Sequence, residues 1–109
     1  MIETIVILIW MHFIADFVLQ SDKMANSKSS SNKWLLIHVS IYTLPFFWFG
    51  WQFAVINGVA HFMTDFVTAR ATSYLWKKEE RHWFFVVIGL DQALHMTALM
   101  LSYHYLIGF

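Results

Sequence analysis

The sequence contains no cysteine, a single proline and few charges. Without cysteine there can be neither a disulfide nor a thiolate metal site, so any bound metal must take nitrogen or oxygen ligands. Charged residues make up 13% of the 109 residues, against ~25% in an ordinary globular domain. Seven basic and seven acidic residues cancel, so no basic excess points to nucleic acid. There is no Gly-rich phosphate loop and no Ser/His/Asp elbow, and Thr43, Thr64 and Thr68 form no nucleophile arrangement. The alternating ten-residue segments of a membrane β-barrel are missing as well.

What is present is apolar: 59% hydrophobic residues and 19% aromatics. Four apolar segments stand out, at about 2–20, 34–49, 51–74 and 83–107, each near the ~20 residues that cross a bilayer core. They predict one all-α domain, an integral membrane four-helix bundle. The first segment has the length of a signal peptide, but its leading charge is Glu3 and no small-residue cleavage site follows, so it is expected to be retained. Residues 21–33 are Ser/Asn/Lys-rich and predict a mobile loop, with Ser31 or Asn32 placed to cap the next helix. Pro45 and Gly50 flank an aromatic turn, and residues 75–82 form a second charged loop. Every Lys and Arg lies in or beside 21–33 and 75–82. Both loops therefore share the cytoplasmic side, which predicts a multi-pass inner-membrane protein with both termini outside. Trp34, Trp76 and Trp83 fall at the inner interface, and Trp48, Trp51, Tyr103 and Tyr105 at the outer one.

Polar residues interrupt the apolar segments at regular spacing. Asn57, His61 and Asp65 are four apart and stack on one helix face, His12 and Asp16 repeat the spacing, and Asp91 and His95 reverse it. At ~1.5 Å per residue, Asp16 and His12 lie roughly 6 and 12 Å from the cytoplasmic end of their helix, and His38 about 6 Å. Asp65 and His61 lie roughly 8 and 14 Å from Arg70, and Asp91 and His95 roughly 12 and 18 Å from Trp83. All seven share one half of the membrane, where a lone Asp costs ~2.5–3.5 kcal/mol. They are therefore expected to meet. Such a set suits Zn, Mn, Fe or Ni. Seven ligands exceed one tetrahedral ion and suit two divalent ions, Zn or Mn above all, that share an Asp. A metal-free proton relay and plain interhelical hydrogen bonding are the simpler readings.

Gln20, Tyr42, Asn57 and Gln92 continue the polar stripes as partners that orient the imidazoles, or as helix-packing hydrogen bonds. Lys23 and Arg70 each follow a site-bearing helix and are the cations placed for an anionic headgroup. His82 and His104 fall outside the shared depth.

The motifs, in order, are His12-x-x-Ala15-Asp16-Phe17-x-Leu19-Gln20, then Lys23 and Lys28, Leu35-Leu36-x-His38, Asn57-x-x-x-His61-x-x-x-Asp65 and Asp91-Gln92-x-x-His95. This layout resembles a family of small bacterial and phage membrane proteins of unknown function. It is similar to that of the YdjM-like inner-membrane proteins, described as metal-dependent hydrolases. The resemblance implies a polar site carried by His12, Asp16, His38, His61, Asp65, Asp91 and His95, and supplies no substrate.

The expected function is metal-dependent hydrolysis of a membrane lipid or lipid-linked phosphoester, with Asp16, Asp65 and Asp91 as the catalytic carboxylates and one of them as general base. Ion or proton transport through the cluster is the alternative. A third is a non-catalytic phage or bacterial interaction protein with a structural metal, partnered by a second copy or a host membrane protein.

Overall fold

The structure, a computed structural model, describes residues 1–24 and 26–109. Among them there is no strand. Five α-helices follow one another: α1 (Ile2–Phe13), α2 (Asp22–Ser27), α3 (Asn32–Thr43), α4 (Trp51–Lys77) and α5 (Arg81–Leu106). The two long helices, α4 and α5, lie against each other; α3 packs on α4, and α1 on α5.

The first helix is not one continuous span to Gln20. After Phe13 the chain widens into a π-helical turn, Ile14–Val18, closed by Leu19 N–H donating to the Ile14 carbonyl at 2.9 Å. Such turns insert an extra residue and re-aim the side chains they carry. Here they carry Ala15 and Asp16, both buried. The stretch expected as a mobile loop is also partly ordered. Ser21 caps α2 by accepting from Met24 N–H at 3.2 Å, and Met24 is itself buried, so a cap and an apolar anchor outweigh the polar composition.

Ser31 caps α3, its Oγ accepting from Trp34 N–H at 3.5 Å. The α-helix stops at Thr43 rather than Phe49 because Pro45 lacks the N–H that would continue the α-helical ladder, although Leu44 before it keeps a helical backbone at φ −53°, ψ −49°. Leu44–Phe49 winds as a 3₁₀ segment instead. Gly50, at φ 120°, then turns the chain into α4 through a conformation other residues rarely adopt.

One helix, Arg81–Leu106, is long and apolar enough to cross a membrane by length and composition. Of the four spans expected, it is the one among the described residues that meets this measure. α1 and α3 are 12 residues each, shortened by the π turn and by Pro45, and the polar stripe of α4 lowers its hydropathy.

The burial pattern is nonetheless inverted. Beside a small apolar core of Leu8, Ala15, Tyr42, Phe46, Phe53, Ala54 and Leu99, the interior holds His12, Asp16, His38, Asn57, His61, Asp65, Thr68 and His95. On α4 the stripe Val55, Val59, Met63 and Val67 faces outward at 44%, 55%, 66% and 65% exposure, while Asn57, His61 and Asp65 on the other face are buried. A helix built for water presents the opposite faces.

Close approach of α3 to α4 is made at Gly58. A Cβ there would stand 2.6 Å from Thr43 Oγ1, and that hydroxyl is tied to the Val39 carbonyl at 2.7 Å. Gly58→Ala is therefore expected to cost about 1–3 kcal/mol despite alanine's better helix propensity. Thermal unfolding should show the loss, and Thr43→Ala in the same chain should recover most of it; an unchanged single variant would mean that the helices can part freely.

Candidate metal centre

The polar cluster sits between the apolar core and the lysine-bearing end of the bundle. Each element brings its part by a local rule. α4 carries His61 and Asp65 one helical turn apart, α5 carries Asp91 and His95 likewise, α3 brings His38, and the π turn brings Asp16.

Four ligand atoms converge: Asp16 Oδ1, His38 Nε2, His61 Nε2 and Asp65 Oδ2. His38 Nε2 lies 3.0 Å from Asp16, 3.1 Å from His61 Nε2 and 3.4 Å from Asp65. His61 Nε2 lies 3.1 Å from Asp65 and 3.6 Å from Asp16. Nitrogen and oxygen ligands at ~2.0–2.1 Å from a tetrahedral ion stand about 3.3 Å apart, and these five spacings bracket that value, with all four atoms within 4.8 Å of one another. Two imidazole nitrogens offer at most two N–H protons to a meeting of two carboxylates, and Lys28, His95 and Gln92 supply the further donors in reach of them. Asp16, His38, His61 and Asp65 could hold a metal ion.

A second group shares Asp16 with the first: Asp16, Asp91 and His95. His95 Nε2 lies 3.1 Å from Asp91 Oδ2 and 3.2 Å from Asp65 Oδ1, so His95 spans both groups. Its ring stacks on His61, with centroids 4.0 Å apart and planes within 3°, and Tyr42 packs on His61 at 4.0 Å. That packing holds the His61 ring, whose buried Nδ1 has no hydrogen-bond partner.

His12 stands apart from the other six expected ligands. Its Nδ1 meets Tyr42 Oη at 2.9 Å and its Nε2 meets Gln92 Oε1 at 2.7 Å, and it lies 3.8 Å from Asp16. The π turn explains this. It swings the Asp16 carboxylate off the His12 face and onto His38. Gln92 is a hub, accepting or sharing a proton with His12 and donating to Asp16 at 3.2 Å and Asp91 at 3.0 Å. Asn57 corrects the expectation placed on it. It orients no imidazole, and donates instead to the Phe53 carbonyl and Ser102 Oγ. Gln20 lines the cavity described below, and its buried Oε1 has no partner.

The expected headgroup cations lie elsewhere. Lys23 sits over the Trp34 ring, and Arg70 bonds the Phe66 carbonyl and Asn32 Oδ1 at 2.9 and 2.7 Å. Lys28 takes that place, its Nζ donating to Asp65 Oδ2 at 3.2 Å. Thr68 was missed too; its hydroxyl lies 2.6 Å from Asp91 Oδ1. Thr68 follows Asp65 by three and His61 by seven, so the helical spacing carried the signal. Lys28 belongs to a different element, and no local spacing reports it.

A cavity of about 180 Å³ opens onto the cluster, lined by Asp16, Asp65 and Asp91 together with Gln20, Lys28 and Thr68. A ligand can thus reach the carboxylates from the lysine-bearing end.

Fold and site together define an all-helical protein built around a buried His/Asp centre that could hold a metal ion. Residues 4–109 match the family described as a protein of unknown function, DUF3307, and the chain belongs to that family. No curated protein and no solved structure matches it, so no named relative carries the finer likeness to YdjM-like or phage proteins.

Gln92→Leu should weaken zinc binding about 10–100-fold, because it frees the Asp16 carboxylate that Gln92 steadies. Asn57→Leu should leave zinc affinity unchanged and affect stability alone. Calorimetric titration of both variants checks the contrast, and equal losses in the two would erase it.

Proposed function

We propose that the chain is a membrane-embedded four-helix protein whose His/Asp centre binds divalent metal, Zn or Mn, and hydrolyses a lipid or lipid-linked phosphoester. The observation that carries this reading is the convergence of Asp16, His38, His61 and Asp65, whose ligand atoms approach one another at 3.0–3.6 Å across five of their six pairs. The second group, joined to the first through Asp16, supports a pair of ions that share a carboxylate, an arrangement common in phosphoester hydrolases. The motif layout, similar to that of the YdjM-like proteins, supports the same reaction class.

Membrane residence is supported by the inverted burial of α4 and by exposed apolar side chains on every long element, among them Trp10 and Phe13 on α1, Leu36 on α3, Met63 on α4 and Phe85 and Leu101 on α5. Apolar surface on this scale marks contact with lipid or protein rather than water. On this reading α1 with its π turn, and α3 with its 3₁₀ extension, would supply the remaining length, with both termini outside and the lysine-bearing end in the cytoplasm by the rule that basic loops stay inside.

The bound ion would activate water at neutral pH and draw charge from the departing oxygen. The chain's own residues divide the rest. Asp16 and Asp65 are 4% and 2% exposed at the side chain, while Asp91 is 13% exposed and faces the cavity. Asp91, oriented by Thr68 and Gln92, is therefore the general base when the first group alone holds an ion, and the deeper pair are that ion's ligands. Transport is disfavoured by the apolar plug of Leu8, Phe46, Phe53 and Leu99 beyond the cluster, past which the Asn57–Ser102 pair alone continues the polar line.

Elemental analysis of the purified protein should find divalent metal in stoichiometric amount, lost in His61→Ala and Asp65→Ala. Asp91→Asn should keep at least one ion while lowering phosphoester turnover by about 10²–10⁴-fold. Wild-type protein that carries no metal and binds none on zinc titration would end the hydrolase reading and leave the buried network as a proton relay.

A further inference from the structure

A second cavity, of about 360 Å³, adjoins the one over the carboxylates. The two share Lys28, Ala69 and Thr72 in their walls, so Lys28 stands at the doorway between them. Their chemistry is opposite. The inner compartment holds Asp16, Asp65 and Asp91. The outer one is lined by Lys28, Lys77, Asn26, Ser29 and Ser73, and by no carboxylate among the described residues. Glu79 and Glu80 follow Lys77 closely in sequence, yet neither lines the cavity. Two ammonium groups, the three hydroxyls of Ser29, Thr72 and Ser73, and an amide make a surface rich in donors, which suits an anion with several acceptor oxygens. Trp76 and Phe84 close one wall, their rings 5.0 Å apart, at the depth where aromatic side chains meet lipid headgroups.

We propose that this outer compartment is an anion subsite that receives a phosphate group, from a lipid headgroup or free in solution, with Lys28 and Lys77 as its charged contacts. The proposal rests on the hydrolase reading for its purpose: the subsite would hold the non-reacting anionic part of the substrate while the reacting part lies over Asp91. Its binding chemistry is independent of the metal. Lys28 serves both compartments, since it also pairs with Asp65. Lys77 serves the outer one alone, which makes it the informative residue. Lys78, its neighbour, is not in the wall and sits over the Tyr74 ring.

The test is calorimetric titration of inorganic phosphate into the full chain in phosphatidylcholine nanodiscs, with and without zinc. Wild type should bind in both states. Lys77→Gln should weaken binding about tenfold, the loss of one charge-assisted contact, Lys28→Gln at least as much, and Lys78→Gln not at all; circular dichroism confirms that the variants fold. Repeating the titration in nanodiscs that contain phosphatidylglycerol separates the sources: competition assigns the subsite to lipid headgroups, and its absence assigns it to soluble phosphate, the subsite standing in either case. Wild type that binds no phosphate, or Lys77→Gln indistinguishable from wild type, overturns the proposal. The two readings fail separately. Phosphate binding that needs Lys77 in a protein that takes no zinc would keep the subsite and remove the metal centre. Zinc binding without a Lys77-dependent phosphate site would do the reverse.

Discussion

Burying three carboxylates is the constraint on which the rest of the structure depends. An ionised group taken from water loses several kcal/mol of solvation even after relaxation, and Asp16 and Asp65 are almost wholly enclosed. The bundle answers with imidazoles on every side, with Gln92 and Thr68 as neutral donors, and with Lys28 as the one ammonium in contact among the described residues. The helices are arranged so that α1, α3, α4 and α5 each contribute to one centre, directly or through the turn that follows. A bundle of this size could have filled the same volume with leucine and been more stable. Keeping carboxylates there makes sense if a cation completes the site.

Much of this was legible along the chain, because the helix repeat writes side-chain proximity into spacing. His61 and Asp65, and Asp91 and His95, are each four apart and lie within 3.1 Å in space. His12 and Asp16, at the same spacing, stand farther apart at 3.8 Å; a π turn begins between them, and Asp16 approaches His38 more closely, at 3.0 Å. Nothing in Ile14-Ala15-Asp16-Phe17-Val18 marks that turn, since its stabilisation comes from the partners Asp16 finds on α3 and α5. Asn57 shares the face of His61 but lies a turn closer to the apolar core, out of reach of any imidazole.

Helix ends were less legible than helix faces. Pro45 announced a break, yet the 3₁₀ segment after Thr43 depends on how Phe46 packs into the core. The polar stretch after Ser21 reads as a loop by composition, because composition averages over residues while capping depends on a single hydroxyl. The whole-chain hydropathy likewise suggested four crossings where one helix has the length and apolarity for it alone. The outward stripe of α4 shows why the two views differ. A helix that lines a polar site carries its apolar residues on half its circumference, so its average understates the face it turns outward.

Lys28 shows what a one-dimensional reading must lose. It caps the C-terminus of α2, a short helix that packs on α3 and contributes Met24 to the interior. Without α2 the chain from Gln20 to Ser31 would be a tether, and its lysines would be interchangeable positive charges that set topology. Fixing α2 by the Ser21 cap and by Met24 distinguishes them: Lys23 is directed onto Trp34, and Lys28 onto Asp65. A carboxylate that already meets three imidazoles gains a fixed ammonium at the mouth of the site, where the carboxylate-lined and lysine-lined compartments meet. The placement of that one charge, more than the number of lysines at this end, gives the cavity a direction, with carboxylates on one side of Lys28 and a donor-rich wall on the other.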